Sequence, residues 1–498
     1  MVEDTNVDPV ELPLVGNIDE EALLEEKAFL AEADRRGLAA RLAAYTKLSG
    51  PGWLQGAMTL GGGSAASSLL LGTLAGYKFL WVQPLALITG IIMLMAISHL
   101  TLSIKTRPFE AMSKYTHPVF AWGWALASLL ASIVWCFPQF SLAESVVRDI
   151  AGQMGYPASQ GLTWGSSIII LAFTLFITLN YGKSLGWIKK YELALKLMVA
   201  MIIISFFIVI IKVDVDWGKV AGGLFGFAMP QTANEIGVVI SAFATAVGIN
   251  MTFLLPYSLL AKGWEKEHRG LAKFDLWTGL LIPFVFATSL VVIVSAVMLH
   301  GNFDIATKKP NAVDLAVTLE PLFGPVASHF IFGLGILGMT ISTITLLMLV
   351  SGFIVSEISG GESRRYFLVG AMLPAVGVLG PGIWSKYGFW MAVPTSNICF
   401  FLMPIAYMAF LIMMNRKGLL GSEMPTGGRR ILWNIAMLMV LVIVTFGGFY
   451  KVLFGLDEGA GWGVGNWGLW SWLYVVVMAI FFIWGFLVWA KPPREETA

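Results

Sequence analysis

Pro51-Gly52-Trp53-Leu54-Gln55-Gly56-Ala57-Met58-Thr59-Leu60-Gly61-Gly62-Gly63-Ser64 is the stretch on which the fold turns. It opens an apolar run long enough to cross a membrane, yet three consecutive glycines follow, each costing about 1 kcal/mol against alanine inside a helix. A break over Gly61 to Ser64 is expected. A second interruption is expected in Gly248-Ile249-Asn250-Met251-Thr252-Phe253-Leu254-Leu255-Pro256-Tyr257, where the proline ring removes one backbone hydrogen bond and crowds the preceding turn. Irregular backbone is expected there over Asn250 to Leu255. Unwound chain at membrane depth is tolerated only where it is buried in protein or lines a wet cavity. Interrupted helices five apart predict two inverted repeats whose broken helices face each other across a central substrate site.

The rest of the chain agrees with a membrane reading. Of 498 residues, 57% are hydrophobic and 13% charged, and the mean hydropathy is +0.77, which excludes an ordinary soluble assembly. Thirty-two Lys and Arg against thirty-one Asp and Glu imply neither a nucleic-acid surface nor an acidic domain. Two cysteines, Cys136 and Cys399, both in apolar runs, allow no disulfide framework and no cysteine metal site. No basic region followed by an apolar one opens the chain, so no cleavable signal peptide is expected.

Twelve apolar stretches long enough to cross a bilayer follow Gly50, near 51–75, 79–104, 117–141, 162–181, 190–212, 236–261, 275–300, 326–357, 366–384, 388–413, 430–454 and 469–490. The predicted fold is an all-α polytopic membrane protein of the five-plus-five, LeuT-like kind, with helices 1 and 6 broken. The organisation follows: a tail over 1–49, a first repeat over 50–212, a second over 236–413, two further helices over 430–490 and a tail over 491–498. Basic residues number eighteen on the loops after even-numbered helices and eight on the others. That bias predicts cytoplasmic termini in a plasma or inner membrane. Residues 17–48, acidic early and basic late, read as a soluble helix suited to its dipole and as a solvated tail.

Several fragments resemble the NRAMP family of divalent-metal transporters: Gly50-Pro51-Gly52, Gly76-Tyr77 before Leu80-Trp81, Ser342-Thr343-Ile344-Thr345 with Ser351-Gly352 and Glu357, Arg364-Arg365, Pro374-Ala375, Pro404, and Asn415-Arg416-Lys417 before Gly421. Their co-linear order covers roughly residues 50 to 450. The resemblance implies the same broken-helix fold and a divalent cation as substrate. It also marks departures. Counted from Gly50, the family's metal-binding aspartate falls on Gly61 and its asparagine on Ser64. Its methionine before the proline falls on Leu255, and its histidine after it on Tyr257. Acidic residues that the family associates with proton movement fall in Ser132 to Gln139, which holds none.

The substrate site is therefore expected among Gly61, Ser64, Asn250, Thr252, Leu255, Tyr257, Ser342, Ser396 and Asn397, with Ser64, Thr252 and Asn397 as metal ligands and Thr59, Thr340 and Gln139 nearby. These groups are neutral. A bare divalent ion without a carboxylate faces a desolvation cost that dipoles only partly offset. Mg²⁺, which sheds water reluctantly, fits a roomier neutral site better than Mn²⁺; loss of the thioether removes a preference for softer metals. Proton coupling through the third helix is not expected. The alternative is a small neutral or zwitterionic solute, such as an amino acid, held by the broken helix ends.

Glu192 and Lys196, one turn apart, read as a structural ion pair. Glu110, Glu144 and Glu357 read as partners of basic residues such as Arg107, Arg364 and Arg365. His99, His300 and His329, lacking ligand spacing, read as structural. No phosphate loop, nucleophile elbow or dinucleotide fingerprint is present, so neither an enzyme nor a bound cofactor is expected, nor a nucleic-acid partner. The partners implied are the lipid bilayer and the cation or solute.

Overall fold

The computed structural model describes residues 20–490 apart from 105, 182–184, 304–313, 315, 318–319, 361–363, 384–391 and 455–468. The described residues form helices and their connections, with no strand among them. Nine helices among these residues are long and apolar enough to cross a membrane, ten with the bent pair Cys399–Met413 and Lys417–Glu423.

Before the first span lie α1 (Glu20–Arg36) and α2 (Leu38–Leu48), divided at Gly37, whose positive φ of 100° suits glycine. The first span is split into α3 (Pro51–Thr59) and α4 (Gly62–Ala75). After it come α5 (Val82–Thr101), the short α6 (Pro108–Tyr115), α7 (Pro118–Gln153), α8 (Gln160–Asn180), α9 (Leu185–Lys212) and α10 (Trp217–Phe225). The sixth span is again split, into α11 (Ala233–Ala246) and α12 (Ile249–Ala261). The seventh combines α13 (Arg269–Asp275), a π-helical segment over Leu276–Leu281, and α14 (Ile282–Met298). Then follow α15 (Pro325–Ile358), α16 (Arg364–Met372), α17 (Ala392–Met413), α18 (Gly427–Phe454) and α19 (Leu469–Ala490).

The first break, at Leu60 and Gly61, touches only the upstream edge of the expected Gly61 to Ser64, since Gly62 to Ser64 already form the first turn of α4. The second lies upstream of the expected window: Val247 (φ −139°, ψ 127°) and Gly248 (φ −99°, ψ 159°) are extended, while Asn250 to Leu255 are helical. Pro256 sits inside a continuous α12, which absorbs one missing donor. Asn250 explains why the helix restarts so early, since its Oδ1 accepts from the Met251 amide at 3.0 Å and caps the first turn.

α3 packs against the π-helical segment, α15 and α12; α4 packs against α14 and α11. The broken spans therefore sit in the middle of the bundle, walled by α7, α15 and α17. The N-terminal helices do not form the free tail expected of them: Leu30, Ala33 and Ala44 are buried.

Candidate functional site

Each break ends one helix, leaving carbonyls without partners in their own helix. At these ends hydroxyls supply the missing donors. Ser64 Oγ donates to the carbonyls of Thr59 (2.6 Å) and Gly61 (3.0 Å). Ser342 Oγ, from α15, donates to Ala57 O at 3.2 Å, and Thr343 Oγ1 to Met58 O at 3.5 Å. Thr59 Oγ1 crosses to the other broken span and donates to Ala246 O. Ser67 Oγ and Thr245 Oγ1 lie 2.9 Å apart, tying α4 to α11. Two C-terminal helix ends, α3 and α11, thus meet in one cluster of carbonyl and hydroxyl oxygens. Their partial negative charges add there, and a hydroxyl that donates to a carbonyl keeps its lone pairs for a cation.

The glycine triplet serves close approach. A Cβ on Gly61 would lie 2.6 Å from Thr343 Oγ1, and one on Gly63 would lie 2.3 Å from the Trp135 indole and 2.9 Å from Ser396 Oγ. Gln139, on α7, accepts from the Gly62 amide at 3.0 Å and so caps α4. Its buried Nε2 has no hydrogen-bond partner among the described residues.

The expected set is not brought together as a whole. Gly61, Ser64, Ser342 and Ser396 gather at the first break, and Asn250 lies in the first turn after the second. Thr252 faces α7 instead: its hydroxyl donates to Ile249 O and accepts from Trp124 Nε1 at 2.9 Å. Leu255 and Tyr257 lie two turns or more beyond the break, about 10–14 Å along the helix at 1.5 Å per residue. The side chain of Asn397 lies outside the described residues. Thr340 is buried and donates within α15.

Sequence reading missed two things here. One is the hydroxyl bridge from Thr59 to α11. The other is Met251, whose Sδ accepts from the Gly248 amide at 3.4 Å and so stands at the second break. Its signal was the glycine three residues earlier, which begins a helix that the proline does not.

Tyr257 belongs to a closure at the end where α3 begins. Its ring stacks on Phe253 at 4.6 Å, its hydroxyl accepts from Phe109 N at 3.4 Å, and Arg107 pairs with Glu357 at 3.6 Å. Arg364 takes another role than the expected one, donating to the carbonyls of Leu179 and Tyr181. Beside this closure, Asp275 Oδ2 accepts from Gly50 N (3.1 Å) and Gly52 N (2.6 Å), an anionic cap on α3. Glu192 and Lys196 divide between partners instead of pairing with each other: Glu192 pairs with Lys262 at 3.3 Å, and Lys196 donates to Ser49 O at 2.7 Å. Both tie the start of α3 to its surroundings, because nearby backbone carbonyls and Lys262 offer shorter reaches.

At the opposite end, His329 bonds Asp149 Oδ2 at 2.5 Å and Glu320 Oε1 at 3.1 Å. Glu144 accepts from Thr163 and pairs with Arg148 at 3.6 Å. His99 and His300 contact the backbone carbonyls of Glu423 and Thr73. All three histidines serve as structural partners.

The sequence matches the family described as natural resistance-associated macrophage protein-like over residues 52–448. A divalent metal cation transporter, MntH, of Agrobacterium fabrum is 23% identical over 66% of this chain and 71% of its own. The MntH of Caldanaerobacter subterraneus is 20% identical over 82% and 93%. Among solved structures, a mutant of the manganese transporter of Eremococcus coleocola superposes with a TM-score of 0.73 at 14% identity, covering 90% of this chain and 95% of that one. Mhp1, a nucleobase-cation-symport-1 family transporter, gives 0.52 at 13%, covering 82% and 93%.

Proposed function

Because this chain belongs to the natural resistance-associated macrophage protein-like family of integral membrane proteins, we propose that it carries a divalent metal cation across its membrane by alternating access, with partly hydrated Mg²⁺ as the fitting ion. The observation that carries this reading is the oxygen cluster at the ends of α3 and α11, built from the carbonyls of Thr59 and Ala246 and the hydroxyls of Ser64, Ser342 and Thr343. Hard oxygen donors suit Mg²⁺ and Ca²⁺, and a site of dipoles alone favours an ion that keeps part of its water. Met251 is turned to the Gly248 amide, which leaves the oxygens as the first ligands.

Residues 50–212 and 236–413 act as the two repeats around this site, with 430–490 as flanking helices. The basic loops, including Lys262 to Lys273, support a reading with both termini in the cytoplasm of a plasma-membrane protein. No acid lies on α7 between Ser132 and Gln139, so transport runs without proton movement along that route.

Proteoliposome flux against Mg²⁺, Mn²⁺, Ca²⁺ and amino acids, with a pH dye inside, tests all of this together. Mg²⁺ uptake without lumenal acidification is expected. Uptake of amino acids alone, or metal-dependent acidification, would overturn the reading.

A further inference from the structure

A cavity of about 610 Å³ opens at the end of the molecule where α3 begins, between the end of α5, the start of α13 and the start of α18; its walls include His99, Arg269, Lys273, Glu423, Arg429 and Trp433. Arg269 is matched by Glu423 at 2.7 Å. Lys273 and Arg429 are exposed and make no ion pair among the described residues, so the cavity keeps two uncompensated positive charges. Arg429 lies in the first turn of the 28-residue α18, whose amides and dipole add to the same positive field.

The surroundings say which kind of anion fits. Directly beyond Arg429, α18 exposes Ile431, Leu432 and Ile435 at 60% or more, and the seventh span exposes Trp277 and Ile282. A charged mouth at the start of α18, with exposed aliphatic side chains and the Trp433 indole together within the next two turns, is the composition of a membrane interface. We propose that this cavity binds a phosphate-bearing anion, the headgroup of an acidic phospholipid whose acyl chains lie along α18. Basic pockets at such depth hold anionic headgroups by charge and donor geometry, and a volume of this size accommodates one.

The test uses the full chain in neutral detergent, titrated calorimetrically with dioctanoyl phosphatidylglycerol, dioctanoyl phosphatidylcholine and inorganic phosphate. Phosphatidylglycerol is expected to bind. Lys273→Gln and Arg429→Gln should each weaken it roughly fivefold, and the pair roughly twenty-five-fold, since each basic group near such a surface contributes about 1 kcal/mol. Lys417→Gln, an exposed charge outside the cavity's walls, should change nothing. Neither cavity variant loses a partner, so an unchanged melting temperature confirms folding. Inorganic phosphate binding as tightly, with the same losses, keeps the phosphate site and moves its source from lipid to solution. Phosphatidylcholine binding as tightly as phosphatidylglycerol, or a double variant with unaltered affinity, overturns the proposal.

Discussion

With the Trp135 indole 2.3 Å from where its Cβ would stand, Gly63 has no room for a methyl group. Gly63→Ala should destabilise the fold by about 1–3 kcal/mol through overpacking, seen as a lower melting temperature together with lost flux. Gly61→Asp, which would restore the family's carboxylate, must first displace the Thr343 hydroxyl from 2.6 Å. Met251 offers a sharper test of the ion. If oxygens alone hold it, Met251→Leu leaves Mg²⁺ flux and Mn²⁺ flux in the same ratio; a selective loss of Mn²⁺ and Cd²⁺ would make the thioether a ligand. Asp275→Ala removes two charge-assisted bonds to the Gly50 and Gly52 amides. It should cost about 3 kcal/mol or more, read as a drop in melting temperature much larger than that of Asp275→Asn. The glycines and the missing carboxylate were legible in the sequence, because backbone freedom and charge belong to the residue itself. The crowding that makes Gly63 necessary was not, because Trp135 is brought to it by a different helix.

The element whose behaviour departs furthest from its sequence is the pair α1 and α2. Charge along 17–48 suggested a solvated helix, yet α1 lies on the loop after α12. Trp264 Nε1 donates to Glu26 Oε1 at 3.0 Å, and Lys27 pairs with Glu265 at 2.7 Å. Tyr45, on α2, packs on Phe274 of the seventh span. Burial is the largest influence on Glu26 and raises its pKa above the ordinary 4.5, against the pull of Lys262 and the Trp264 hydrogen bond. A carboxyl raised in the docked state takes up a proton on docking. Its contribution is therefore fully present below pH 4.5 and lost as pH rises through the raised value. Through Glu26 docking should tighten on mild acidification, read as the difference in α1 amide exchange between the native chain and Glu26→Gln, because charging the buried His268 ring 3.6 Å away opposes docking in both. Glu26→Gln should hold the tighter state at neutral pH and flatten the dependence; unchanged pH sensitivity in that variant would contradict the assignment. The second break teaches the same lesson at this scale. Proline marks where a helix loses one bond, whereas Gly248 with the Asn250 cap marks where a helix begins, and the backbone followed the beginning.

Across the whole molecule, α15 links closures at both ends. His329, near its start, is held by Asp149 and Glu320, and Glu357, near its end, by Arg107. Twenty-eight residues separate them, about 42 Å of helix at 1.5 Å per residue. Loosening one closure should leave the other intact. Glu357→Gln should raise amide exchange in α6, and Asp149→Asn should raise it in Glu320–Phe323, each without affecting the opposite end; matched increases at both ends would show one cooperative unit. The sequence by itself determined the membrane class, the positions of the apolar spans, the first break and the family, because hydropathy and helix propensity are sums over neighbouring residues. Only the tertiary structure decided where the second helix breaks, which expected residues share the site, and that the N-terminal helices dock. Those outcomes depend on contacts such as Thr59 to Ala246, 187 residues apart, and Ser342 to Ala57, 285 apart. A hydroxyl finds its carbonyl only after the helices that carry them have packed, and no local pattern records that meeting.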